Sequence, residues 1–310
     1  SWERVVFDGA EFPCSFVIIT MDPSYFILAA IICSIVLVQV NQRMGSPVIA
    51  IFVRWLRWIV FGTGFAYMCV DFDLINRPFW VLTLVFLLVW FLIETLYNWL
   101  GIQALSVSPL PLFPRYVANA SGEEWPTYPR LLKVREWLRA QGFKQVQAVK
   151  AEIGGGVFLR GSVYQDEESH VRVQVTFFPS ATGMVGVCYT LVSIASDGTR
   201  YVTDNFYVPF AGFYPEKWLV ERRPWRRGLP GLLKRHQQRI TGETLVAFDS
   251  DPVTDLNAQQ HELDHLNTQL GFLNAHSERE EFGKITQAGR YRVWKEIWML
   301  NYLGRSVRYQ

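Results

Sequence analysis

The sequence is short of charge: Lys, Arg, Asp and Glu make up 19% of its 310 residues, where an average soluble domain has roughly 25%. Cysteine is scarce too. Cys14, Cys33, Cys69 and Cys188 show no metal-type spacing and three of them lie in apolar runs, so neither a disulfide framework nor a zinc cluster is implied. With 22 Gly and 15 Pro the chain has too little of either to be collagen-like or wholly disordered. What it has instead is apolar material, 50% hydrophobic and 15% aromatic, over a length that suggests about two domains. The net charge of +2 is unevenly spread, because residues 1–99 hold only 5 of the 30 Lys and Arg and 7 of the 28 Asp and Glu. Most of the charge therefore sits in the last two thirds.

Residues 25–40, 47–70 and 79–100 are apolar runs of 16, 24 and 22 residues, and a helix needs about 20 to cross the hydrocarbon core. They predict three transmembrane helices. A soluble helical core is the alternative, disfavoured because buried soluble helices keep a polar face. Asp22-Pro23 interrupts the first run, so its helix starts near Pro23, where proline suits the first turn. Met21-Asp22-Pro23-Ser24 reads as a translation start, which makes residues 1–20 an extension of uncertain standing. A secretory signal fits poorly, since Arg4 stands against Glu3, Asp8 and Glu11 before Phe16. Arg43 lies between the first two runs, with Arg54 and Arg57 just beyond, whereas the next loop carries Asp71, Asp73 and Arg77. Positive charge favours the cytoplasmic side, so the N-terminus is expected outside and everything after Leu100 in the cytoplasm. There the sequon Asn119-Ala120-Ser121 would never meet the glycosylation enzyme.

Charges within the bilayer are costly and mark functional candidates. Arg54, Arg57 and Glu94 are the three. At 1.5 Å per residue Arg54 and Glu94 fall at the same depth, about 7–9 Å to the cytoplasmic side of their helix midpoints, which allows a direct pair. In the alternative reading both arginines snorkel to cytoplasmic headgroups, flanked by Trp55 and Trp58 as interfacial anchors, while Glu94 reaches the same interface. A small transporter subunit is the function such a pair would serve.

Residues 101–129 contain Pro109, Pro111, Pro114, Pro126 and Pro129 and read as a linker without regular structure. An amphipathic helix follows from Arg130 to Gly142. Strand-like runs at 143–153, 157–165, 171–178, 184–193 and 199–208 are joined by short turns, so antiparallel hairpins are expected. The fold class is a membrane protein: three transmembrane helices, then a cytoplasmic α+β domain over 130–245, an antiparallel sheet of about five strands with flanking helices. Gly154-Gly155-Gly156 runs from strand to strand and is a hairpin turn rather than a phosphate loop. Cys188 sits mid-strand as a structural thiol. The run Arg222, Arg223, Arg226, Arg227, Lys234, Arg235 and Arg239 has only Glu221 beside it. Near a membrane it predicts contact with anionic lipid, and without stacking aromatics or a recognition helix nucleic acid is an unlikely partner. Residues 229–240 form a short helix that closes the domain.

Residues 253–310 carry the one catalytic-looking motif. Gln260-His261-Glu262-Leu263-Asp264-His265-Leu266-Asn267 contains H-E-x-x-H and resembles the third signature of peptide deformylases. That resemblance, over about eight residues, implies His261 and His265 as ligands of Zn or Fe and Glu262 as general acid/base. The cysteine-bearing and glycine-rich signatures of that family have no counterpart in the sequence, and two ligands do not make an open three-ligand site. Leu256, Leu263, Leu266, Leu270 and Leu273 fall on a heptad seam with Gln259 between them. The favoured reading is therefore a coiled coil, capped by Thr254 or Asp255 and running to about Asn274, with both histidines facing outward and no metal or cofactor. Residues 290–303 form an amphipathic helix, either in the lipid interface or packed in a core. The function expected is a membrane-bound binding or scaffold protein that recruits a partner or self-assembles through the coil; a metal hydrolase is the alternative.

Overall fold

The structure is a computed structural model and describes residues 23–44, 46–121, 125–179 and 185–307. The start at Met21 and the extension 1–20 lie outside the described residues, and the first helix begins at Pro23 as expected.

Three helices, α1 (Pro23–Met44), α2 (Pro47–Asp71) and α3 (Phe79–Val107), are each long and apolar enough to cross a membrane. Their outer faces expose Phe52, Ile59, Leu88, Leu92 and Leu96. α2 and α3 pack closely around Ala66, Cys69 and Leu82. At Gly62 a Cβ would stand 2.9 Å from the Leu87 side chain, so the glycine sets this close approach. α3 runs seven residues beyond the expected end at Leu100 and measures about 43 Å at 1.5 Å per residue. Segment 101–129 is thus not without regular structure. It contains the end of α3 and a short strand, β1 (Tyr116–Ala118).

Among the described residues the sheet domain has eight strands where about five are expected. After β1 and the helix α4 (Pro129–Ala140) come β2 (Lys144–Gly154), β3 (Val157–Gln165), β4 (Arg172–Pro179), β5 (Val185–Ala195), β6 (Arg200–Asp204) and β7 (Trp218–Arg222), followed by α5 (Leu229–Ile240) and β8 (Leu245–Val246). The order is β1-β2-β3-β4-β5-β6-β7, with β8 also on β5. All pairs are antiparallel except β6–β7, so the sheet is mixed. A parallel pair needs a crossover of a dozen or more residues. Residues 205–217 supply it as irregular chain, without the helix that would have marked it in the sequence. Asn267 holds that crossover in place, donating to the Phe213 carbonyl at 3.0 Å and accepting from its N–H at 2.7 Å.

Period-two alternation puts successive residues on opposite faces. Val173, Val175 and Phe177 of β4 and Tyr189 and Leu191 of β5 face α4 and α5, meeting Leu131, Leu138, Leu229, Leu232 and Leu233. Tyr164 joins that core while its neighbour Val163 joins Tyr116, Val149, Ala151 and Leu256 on the other face. The β2–β3 turn holds Gly154, Gly155 and Gly156 at φ of 106°, 62° and 74°, a left-handed run only glycine adopts readily.

The second face is covered by α6 (Pro252–Gln269), and here the coiled-coil expectation fails. The helix ends at Gln269, so Leu270 and Leu273 lie beyond it, and Gly271 at φ 73° turns the chain. Leu256 packs on the sheet, Leu273 joins a different core with Ile102 and Phe272, and Leu270 is exposed. One face of a helix against a sheet needs the same leucine spacing as a seam. The N-cap is Asp251, which accepts from the Thr254 N–H at 3.0 Å, rather than Thr254 or Asp255. A short turn, α7 (Arg279–Phe282), leads to α8 (Gln287–Trp298), which continues as a π-helical turn over Met299–Leu303 and stops at Gly304.

Candidate functional site

The C-terminal segment returns to the apolar helices and builds a polar and aromatic cluster on them. Trp55 Nε1 donates to the Tyr302 carbonyl at 3.2 Å and Trp58 Nε1 to the Tyr302 hydroxyl at 2.7 Å. The Tyr302 hydroxyl in turn donates to Glu94 Oε2, which also accepts from Trp58 Nε1 at 3.1 Å. Trp298 stacks on Tyr302 with ring centroids 4.6 Å apart and meets Trp58 edge-on at 5.8 Å. Arg54 and Glu94 do not pair directly. Arg54 Nη1 donates to the Asn301 carbonyl at 3.2 Å and lies 3.4 Å from the Tyr207 hydroxyl, so both charges are taken up by the returning segment. The sequence places them at one depth but not the Tyr302 between them. Arg57 is exposed. The π turn that carries Asn301 and Tyr302 is a rare geometry that occurs frequently at functional sites.

A second clasp lies at the end of α3. Ser106 accepts from the Lys284 N–H through its carbonyl at 2.8 Å and from the Ile285 N–H through its hydroxyl at 3.0 Å. The Lys284 ammonium donates to the carbonyls of Ser108, at 2.5 Å, and Leu110, a cation placed where the helix dipole favours one. Around it Ile102, Ala211, Phe272, Leu273, Ile285 and Val293 form a core that joins α3, the 205–217 crossover and α8.

The basic run divides in two. The Arg222 side chain, 9% exposed, pairs with Asp204 at 3.0 Å and donates to Tyr214 at 3.2 Å. Glu221 takes Arg223, Arg235 at 3.0 Å and Arg239 at 3.2 Å. Burial pushes the Glu221 carboxyl up, but hydrogen bonds from Arg235 and Arg223 together outweigh it and bring it down to about 2. Arg226, Arg227 and Lys234 are exposed and have no carboxylate partner among the described residues. An open cleft of 1520 Å³ runs between β7, residues 222–226 and residues 303–307. Its far wall is held by Glu296, fully buried on α8, whose carboxylate accepts from Ser306 Oγ at 2.6 Å and the Val307 N–H at 2.7 Å.

The H-E-x-x-H residues stand on the outer face of α6. His261, Glu262 and His265 are exposed, the two imidazole rings 6.5 Å apart. Asp264 is engaged by His276 and Arg279, each at 2.9 Å. Among the described residues no three His, Cys, Asp or Glu side chains are grouped to hold a metal ion. Cys188 is half-buried and its thiol is pushed up to about 12, chiefly by burial, which leaves it unreactive.

Sequence reasoning missed the ion network that fixes α6. Asp255 accepts from Arg172 Nη1 at 2.8 Å, Arg200 Nη2 at 2.9 Å and Gln259 Nε2 at 3.0 Å. All three charges are largely withdrawn from solvent, with side-chain exposures of 4%, 10% and 13% for Arg172, Asp255 and Arg200. An acidic residue in a helix's first turn reads as a capping group, and nothing local in the sequence points to partners on β4 and β6. No protein-family model matches the chain, and neither a curated protein nor a solved structure matches it.

Proposed function

We propose that the protein is a three-span integral membrane protein whose sheet domain is a binding platform held rigidly at the cytoplasmic face, where it recruits a partner or a second copy of itself. The observation that carries the reading is the double return of the C-terminal segment. Asn301 and Tyr302 bind Arg54, Trp55, Trp58 and Glu94, and Lys284 and Ile285 bind Ser106. Buried polar groups in lipid need internal partners, and this arrangement supplies them from the soluble part. A domain tethered only for localisation needs no such docking; one that presents a surface in a fixed attitude does. The positive loop at Arg43 favours the inside for this face.

The test is made in native membranes. The chain is expected to stay in the pellet after alkaline carbonate, with residues 125–310 protected from protease added to sealed cells. Crosslinking and mass spectrometry are expected to give reproducible links from the sheet domain to a neighbour or a second copy. Release by carbonate or digestion from outside overturns the membrane arrangement; a chain that yields only internal links overturns the platform role.

A further inference from the structure

The cleft beside β7 is lined by six arginines, Arg222, Arg223, Arg226, Arg235, Arg239 and Arg305, and by two carboxylates, Glu216 and Glu221. Asp204 neutralises the first of these arginines and Glu221 is shared by three. Arg226 and Arg305 remain, both exposed and without a carboxylate partner among the described residues. Glu216 is exposed at the lining, and counting it with Asp204 and Glu221 still leaves three carboxylates against six arginines, so the balance of the lining stays positive. Arg305 was not part of the basic run read from sequence. The fold brings it there by returning the chain end across the domain, where Trp225 Nε1 donates to the Gly304 carbonyl.

The position of the cleft selects among anions. Met299 and Leu303, which line it, flank the Asn301 and Tyr302 carbonyls that bind Arg54 and Trp55 of α2. Next to Arg226, Arg227 donates to the Met44 carbonyl at the end of α1 at 2.5 Å. The cleft therefore opens beside the ends of the apolar helices, with Leu303 52% exposed and Trp225 43% exposed on its rim. Guanidinium forks suit phosphate oxygens, and an aromatic and leucine rim suits the region between headgroup and acyl chain.

We propose that this cleft binds the phosphate of an anionic phospholipid, with Arg226 and Arg305 as its principal ligands and the acyl chains passing along Leu303. The proposal rests on the membrane reading above. It narrows the earlier expectation of seven lipid-facing cations, since Arg222, Arg223, Arg235 and Arg239 are held by carboxylates within the domain.

Full-length protein in nanodiscs of phosphatidylcholine with and without phosphatidylglycerol, examined by native mass spectrometry, tests it. Wild type and the control Lys234→Gln are expected to retain phosphatidylglycerol. The double variant Arg226→Gln/Arg305→Gln is expected to bind it about thirtyfold more weakly, as two side chains at roughly 1 kcal/mol each near an anionic surface imply at 1.4 kcal/mol per tenfold. Equal retention by all three proteins overturns the site. Displacement of the lipid by glycerol phosphate at equal concentration also overturns it, in favour of a soluble phosphate ligand. If the chain is found in the carbonate supernatant, the membrane reading falls and the lipid site with it; if it stays in the pellet and retains no phosphatidylglycerol, only the lipid site falls.

Discussion

Replacing Asp255 by Ala removes the one carboxylate between Arg172 and Arg200. The two guanidinium groups keep partial compensation. Arg172 still donates to the Ser250 carbonyl at 3.0 Å and lies over Phe248 at 4.2 Å, and Arg200 lies 5.3 Å from the Trp218 ring. Neither replaces an anion at exposures of 4% and 13%. Removing one partner of a buried pair costs about 3–5 kcal/mol, and at 1.4 kcal/mol per tenfold this raises the opening equilibrium of α6 by between about two and three and a half orders of magnitude. Hydrogen exchange of the α6 amides in nanodisc-embedded protein reads that change directly. Asp255→Asn keeps an acceptor and the side-chain shape, and is expected to fall between wild type and Asp255→Ala. If exchange in α6 is unchanged in Asp255→Ala, the helix is held by Leu256 and Leu263 alone and the ion network contributes nothing.

Tyr302→Phe deletes the hydroxyl between Trp58 and Glu94 and should destabilise the docked π turn by about 1–3 kcal/mol, seen as roughly five- to a hundredfold faster exchange over residues 299–303 with the sheet unaffected. His236, fully buried between Ser193 Oγ at 3.0 Å and Thr203 Oγ1 at 2.9 Å, is pushed down to about 3 by burial and by Arg239. Its unfolded value is about 6.5, so its neutral form supports the fold fully above that pH. Stability is then lost as pH falls from about 6.5 toward 3, by up to about 1.4 kcal/mol per pH unit, and His236→Leu should flatten the melting-temperature profile over that range. The double variant His261→Ala/His265→Ala is expected to change stability by no more than about 0.5 kcal/mol and to leave metal content unaltered. Stoichiometric Zn or Fe lost in that variant would restore a hydrolase role with Glu262 as its base.

Much of the architecture was legible because it depends on local pattern. The three apolar helices follow from unbroken hydropathy, β2 to β6 from alternation and glycine turns, and α5 lies at the predicted 229–240. What escaped the sequence depends on pairing across long separations. β7 is five residues reached by irregular chain, and β1 is three residues among prolines, so neither is long enough to show a period. The leucines of α6 satisfy a seam and a sheet-facing stripe equally, and only the turn at Gly271 separates the two. The candidate site was half visible: Arg54 and Glu94 stood out as charges in apolar runs, while Tyr302 is one aromatic among many near the chain end. Ion pairs within the basic run are not legible in the sequence, because those from Asp204 to Arg222 and from Glu221 to Arg239 form only when β6, β7 and α5 meet.

Lys284 and Tyr302 seize the third apolar helix at points twelve residues apart along it, Ser106 and Glu94. Two grips on one rod make a bracket rather than a hinge. With the helix spanning a bilayer as proposed, any tilt or rotation of it passes to the sheet through both grips rather than being absorbed at one. The proline-rich stretch after the helix cannot act as a slack tether while both grips hold.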